Sequence, residues 1–177
     1  TDRLGDEGVI CFVTNGGFVD SATASGVRRV LLQEFDSVYI FNLRGNAIGA
    51  GEKRRKERDN VFGEGTKTTV VISLLIKKKG ATPREGKLFY HDIGDYLTKA
   101  EKLSRIQEFG NFASIPWIEV QPNASADWIN QRDESLAKHP AMGSKDKTAM
   151  NEPKYFKTYS LGLVTNRDSW AYNFNPV

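Results

Sequence analysis

The sequence predicts an α/β fold, a sheet with helices packed on its faces. Three observations carry this. Continuous apolar runs at 8–15 (GVICFVTN) and 37–43 (SVYIFNL) flank a helix-periodic stretch, the spacing of a strand–helix–strand unit. A third, longer β-branched run, TTVVISLLIKK at 68–78, follows a charged segment. Of the 177 residues 39 % are apolar and 27 % charged, enough apolar surface for the core of an ordinary globular chain.

Taken in order, RLGDEG (3–8) reads as the tail of a helix with its glycine cap, so the chain is expected to start mid-domain. GVICFVTN has no polar alternation and reads as a strand buried on both faces. Residues 21–35 place Val27, Val30, Leu31 and Phe35 on one helical face, which predicts a helix with that stripe against the sheet. The second strand is 37–43, and the third, 68–78, is free to return antiparallel beside it. KLFYHDI (87–93) is a fourth strand. Thr98 and Glu101 form a capping box that opens a helix running to about Phe109. WIEVQPN (117–123) is a short strand stopped by Pro122-Asn123. Beyond it the chain is polar and turn-rich to Asn151, with one short helix near Trp128–Leu136, and 155–174 returns to strand-like aromatic alternation.

Charge is concentrated. Residues 44–58 (RGNAIGAGEKRRKER) hold six basic and two acidic side chains, a net of +4 in a chain whose total is +3. The basicity therefore belongs to one segment, read from its glycines as a flexible loop. Such a run is ordinarily a solvated face, but cations gathered on a loop are also what phosphate contacts need, each releasing condensed counterions. The single cysteine, Cys11, excludes a disulfide framework and points to a reducing cytoplasm. One Cys and two scattered His supply no zinc site, no apolar run approaches a membrane span, and no secretory leader opens the chain.

Ligands of open α/β sheets bind beyond the carboxyl ends of the parallel strands. That places TNGGF (14–18) and NLRGN (42–46) at a site mouth, with Thr14, Asn15, Gly16 and Gly17 lining it; the plain alternative is that the two glycines only turn the chain. Other motifs fail on context. FGEGT (62–66) has the glycines of a cofactor loop but precedes a strand, where such a loop would open a helix. Glu119 with Asp92 or Asp95 could suggest a metal-dependent nuclease, yet the spacing is loose and Pro122 ends the strand. Asn175-Pro176 lacks the second proline and aromatic of an amino-methylating site.

GVICFVTNGGFVDSATASGVRRVLLQEFDSVYIFNLRGN, VFGEGTKTTVVISLLIKK, KLFYHDIGDYLTKAEKL and GLVTNRDSWAYNF, in this order, closely resemble one family. It is the adenine-N6 DNA methyltransferase region of large single-chain restriction–modification enzymes of the type ISP and type IIG-like kind. Those enzymes join a nuclease, a helicase-like ATPase, the methyltransferase and a target-recognition domain. The resemblance covers essentially the whole chain. It implies a partial Rossmann-like methyltransferase sheet, the later half, over 1–113, and a connector toward the target-recognition domain over 114–177. The family's S-adenosylmethionine loop and its Asn-Pro-Pro-Tyr lie upstream of this stretch. The resemblance therefore implies S-adenosylmethionine in the parent protein, no cofactor and no catalytic residue here, and an inactive isolated fragment.

Carried over by position, VFGEGTKTTVVI matches the element whose aromatic stacks on the extruded adenine, which is Phe62 here. Base-modifying enzymes must extrude their target, at a few kcal/mol of unstacking. An aromatic can hold the flipped base while neighbouring cations grip the flanking phosphates: Arg44, Lys53, Arg54, Arg55, Lys56, Arg58 and Lys67. The competing role for Phe62 is a hydrophobic plug at the start of a strand. The expected partners are double-stranded DNA and the remainder of the parent polypeptide, with no membrane. A reading from another class is a non-catalytic DNA-binding module that couples a helicase-like translocase to its track.

Overall fold

The apolar run that follows the basic segment forms an interior strand of the sheet. In the computed structural model, which describes residues 4–63, 65–80, 86–133, 135, 138–143 and 153–156, five strands make one mixed sheet. They are β1 (Gly8–Asn15), β2 (Ser37–Arg44), β3 (Val70–Lys77), β4 (Lys87–Asp92) and β5 (Ile118–Val120), in the order β1-β3-β2-β4-β5. β3 runs antiparallel to both β1 and β2, β4 is parallel to β2, and β5 closes the far edge antiparallel to β4. The helices are α1 (Gly17–Asp20), α2 (Ser25–Glu34), α3 (Gly51–Glu57) and α4 (Lys99–Phe109), with 3-10 turns at Ala22–Ala24 and Phe112–Ser114. The fold is α/β, as the apolar runs predict.

Strand alternation splits the core into two layers. On one face Val38 and Ile40 of β2 and Val71 and Leu75 of β3 pack with Leu32, Phe35 and Trp128. On the other, Phe41 and Leu43 meet Val61, Val70 and Ile93, with Ile106 and Phe109 of α4 against them. The capping box of α4 forms as expected: the Thr98 hydroxyl accepts from the Glu101 N–H, and the Glu101 carboxylate accepts from the Thr98 N–H. Gly86 tucks against the end of α2, donating to the Leu32 carbonyl at 2.7 Å, where any Cβ would collide with the Phe35 carbonyl.

Several expectations are corrected. β1 is not buried on both faces: it is an edge strand with β3 as its neighbour, and Val9 is 60 % exposed. β1 and β2 do not pair, because β3 is inserted between them. The buried face of α2 is Arg28, Leu32 and the adjoining Phe35, whereas Val27 and Val30 are 53 % and 47 % exposed. Arg28 displaces them because its guanidinium, wholly buried, finds four acceptors. These are the carbonyls of Ala126 (2.6 Å), Phe18 (2.9 Å) and Ser21 (2.7 Å), and the Asp127 carboxylate (3.1 Å). Residues 4–7 form a turn, not a helix end, and 128–133 form no helix. The rest of the helix expected to 136 lies partly outside the described residues, as does the aromatic tail from 157.

The chain divides into two units, residues 1–132 and 133–177. In the second, the N–H groups of Tyr155 and Phe156 donate to the carbonyls of Ala141 and Met142, both at 3.0 Å, around a bridge between Ala141 and Lys154.

Candidate nucleic-acid interface

β1, β2 and β4 run the same way, so their carboxyl ends share one edge of the sheet, beside the start of β3. A cleft of about 510 Å³ opens there. Asn15, Gly16 and Gly17 line it, as do Asn42, Arg44 and Asn46; Thr14 lies one residue inside β1 and does not. Gly16 is required by contact: its N–H donates to the Thr69 carbonyl at 2.8 Å, and a Cβ would meet Val71 and Thr69 at 2.8 and 2.9 Å. Asn15 accepts the Gly17 N–H at 2.7 Å and so shapes the turn into α1.

The floor of the cleft is a polar network that strand-end residues build. Asn42 donates to the Tyr90 hydroxyl (2.9 Å), Tyr90 donates to Asp92 (3.1 Å), and Arg44 pairs with Asp92 and Asp95, both at 2.6 Å. Burial, then the neighbouring Asp92 charge, drive the Tyr90 phenol well above its ordinary range, even though Asn42 donates to it. Arg44, expected at a DNA phosphate, here pairs with two carboxylates. The same pairing answers the nuclease reading: Asp92 and Asp95 are held by Arg44 while Glu119 reaches Lys87. Among the described residues no three His, Cys, Asp or Glu side chains are grouped to hold a metal ion.

Gly51–Glu57 of the basic segment is a helix, not a flexible loop. Glu, Lys and Arg are strong helix formers, and the cations of its last turn suit the negative end of the helix dipole. Helical periodicity sorts them. Lys53 and Lys56, three apart, face the cleft; Arg55 points outward and pairs with Glu52 at 2.8 Å. Lys56 also reaches Asp95 at 3.4 Å. Arg54 and Arg58, four apart, turn the other way into a second pocket of about 400 Å³. Lys99, the first residue of α4, lines it too. Among the described residues Lys53, Arg54, Arg58, Lys67 and Lys99 form no ion pair. The carboxyl end of α3 is pinned from α4: the buried Lys102 donates to the carbonyls of Glu57 (3.0 Å) and Asp59 (2.6 Å). Burial pulls the Lys102 ammonium below its ordinary value.

Phe62 does not begin a strand. It sits in a turn, eight residues before β3, and is 62 % exposed. The buried Asn60 holds this turn with three hydrogen bonds, accepting the Phe62 N–H (3.0 Å) and donating to the carbonyls of Gly45 (3.2 Å) and Thr68 (2.9 Å). Gly45 permits the approach: its φ is +97° and a Cβ would lie 2.8 Å from the Asn60 amide. Asn60, Tyr90, Lys99 and Lys102 were not legible as site residues, whereas Asn42 falls in the 42–46 stretch expected at the site mouth.

Fold and site define a mixed α/β sheet with a polar cleft at its carboxyl edge and a cation-lined pocket beside an exposed aromatic. Structures that share it are particular. The chain is 40 % identical to a segment of a nuclease-deletion mutant of the Type ISP restriction–modification enzyme LlaGI, solved in complex with a DNA substrate mimic, with a TM-score of 0.83. It is 35 % identical to a segment of LlaBIII, an ATP-dependent Type ISP restriction–modification enzyme bound to DNA (TM-score 0.85), and 34 % identical to a segment of DrdV in a DNA complex (TM-score 0.82). Each alignment covers 96 % of this chain but only 15 %, 11 % and 17 % of those chains. No protein-family model and no curated protein matches the chain.

Proposed function

We propose that this chain supplies the target-base and DNA-backbone side of a DNA adenine-N6 methyltransferase within a restriction–modification enzyme. The observation that carries the reading is Phe62: a large aromatic, 62 % exposed on a turn held by Asn60, beside cations that form no ion pair. An exposed ring so fixed is suited to stacking on an extruded base. Similarity to segments of DNA-bound restriction–modification enzymes supports the same reading. So does β1, whose GVICFV composition suits a covered strand although among the described residues nothing pairs with its outer edge, as befits a sheet that further strands extend. In this reading 1–113 are the later half of the catalytic domain and 114–177 lead toward target recognition.

S-adenosylmethionine would supply the methyl group, but the residues here do not fit it. Phe62 and Gly63 lie in a turn that leads toward β3, whereas a phosphate- or nucleotide-cradling glycine loop opens a helix. What this chain contributes is the holding of the base and its flanking backbone.

The test is Phe62→Ala beside Phe62→Trp in the full-length polypeptide, with 2-aminopurine at the target adenine. Stacking on an aromatic contributes roughly 1–3 kcal/mol per base. Ala should lower the flipped-base fluorescence and the methylation rate together while the melting temperature holds, and Trp should retain both. Intact signals with Ala would leave the chain a DNA-coupling module without a role at the base.

A further inference from the structure

We propose that the pocket lined by Arg54, Arg58 and Lys99 holds one backbone phosphate of the DNA strand whose base Phe62 stacks; this rests on the function proposed above. The two depressions at this edge differ in charge. The cleft at the strand ends sets Arg44, Lys53 and Lys56 against Asp20, Glu57 and Asp92, three cations against three carboxylates. Among the described residues the second pocket sets Arg54, Arg58 and Lys99 against Asp59, an excess of two positive charges. A monoanionic phosphodiester is therefore drawn to the second pocket, and the neutral cleft suits a hydrogen-bonding, uncharged group.

The pocket is also built, not merely lined by loose side chains. Arg54 donates to the Arg58 carbonyl at 2.5 Å, which fixes its guanidinium with further N–H groups to spare. Arg58 itself has a φ of +46°, a conformation the Arg54 bond helps to hold. Asp59 is occupied at the rim: its carboxylate accepts the Lys99 N–H at 3.3 Å, and its carbonyl takes Lys102. Asn60 and Gly63, on either side of Phe62 in one turn, line the same pocket, so the turn that carries the ring adjoins the cations. Lys99 lies 41 residues after Arg58 in sequence, and only the fold brings them together.

The experiment measures binding of a duplex by the full-length polypeptide across a salt series, using fluorescence anisotropy. The double variant Arg58→Gln/Lys99→Gln should flatten the slope of log K against log[salt] by about 0.9, one phosphate contact. Lys87→Gln, which removes a cation paired with Glu119 outside the pocket, should leave it unchanged. A scan of neutral methylphosphonates along the target strand then locates the contact. One position next to the target base should weaken the unaltered protein but not the double variant. An unchanged slope, or no position whose effect vanishes in the double variant, overturns the proposal. So does a double variant that loses affinity for inorganic phosphate alone while its DNA slope stands. These readouts need neither methylation nor base flipping, so the phosphate site and the methyltransferase reading can fail separately.

Discussion

The Asn60 side chain accepts the N–H of Phe62 at 3.0 Å while its amide ties the carbonyls of Gly45 and Thr68 together. One buried residue thus joins the exit of β2, the approach to β3 and the exposed ring.

Asn60→Ala removes all three bonds and strands two carbonyls, so it should cost about 1–3 kcal/mol. Asn60→Asp keeps an acceptor for Phe62 and loses the two donations. Hydrogen exchange should report a freed Phe62 amide in the Ala variant and a retained one in the Asp variant.

Lys102→Met keeps the buried aliphatic stem and deletes the ammonium that caps the end of α3. A loss of about 1–3 kcal/mol is expected, with faster exchange concentrated in α3 rather than in the sheet. Exchange rising evenly across the molecule would mean that Lys102 supports the whole core and not this helix end.

Arg28→Met should be among the most destabilising single changes, at about 3–5 kcal/mol, since it leaves Asp127 and three carbonyls without the guanidinium. Arg28→Lys should fall between, because an ammonium cannot span the same fork of acceptors. Urea unfolding of the three proteins gives the order directly.

Asp127 sets an acid limit. Arg132 (2.6 Å), with Asn123 also donating, holds its carboxyl well below the ordinary carboxylate range. A folded pKa below the unfolded one means the stabilisation is complete above the unfolded value, about 3.9. It is lost as pH falls through the folded value. Arg132→Gln should therefore lower stability at neutral pH, with the difference from the unaltered protein shrinking as pH falls through the folded value, and so move the acid-unfolding midpoint to higher pH.

Local chemistry made much of the fold legible. The Thr98–Glu101 box marks its helix because both partners lie within four residues, and the β-branched run at 70–77 reads as a strand whatever its neighbours. What failed depended on distant partners. Val27 and Val30 have the right spacing for a core face, but Arg28 takes that place because Phe18, Ser21, Ala126 and Asp127 converge on it. GVICFV is apolar enough for a buried strand, yet apolarity does not say how many neighbours a strand acquires. The glycines at 45, 49 and 51 suggested a loop and masked the helix propensity of GEKRRKE. At the site, the basic cluster was visible as composition; its sorting onto two faces, and the arrival of Lys99, were not.

The insertion of β3 between β1 and β2 also fixes an order of assembly. β1 and β2 share no ladder and cannot form a hairpin with each other. Their common neighbour arrives only with residues 70–77, which pair with β1 about 60 residues back. Closing so long a loop before any sheet bond is gained slows folding and leaves two apolar strands uncovered meanwhile. A nascent chain stalled between the end of β2 and β3 would thus be the species most prone to aggregate, and a holding chaperone would act in that interval.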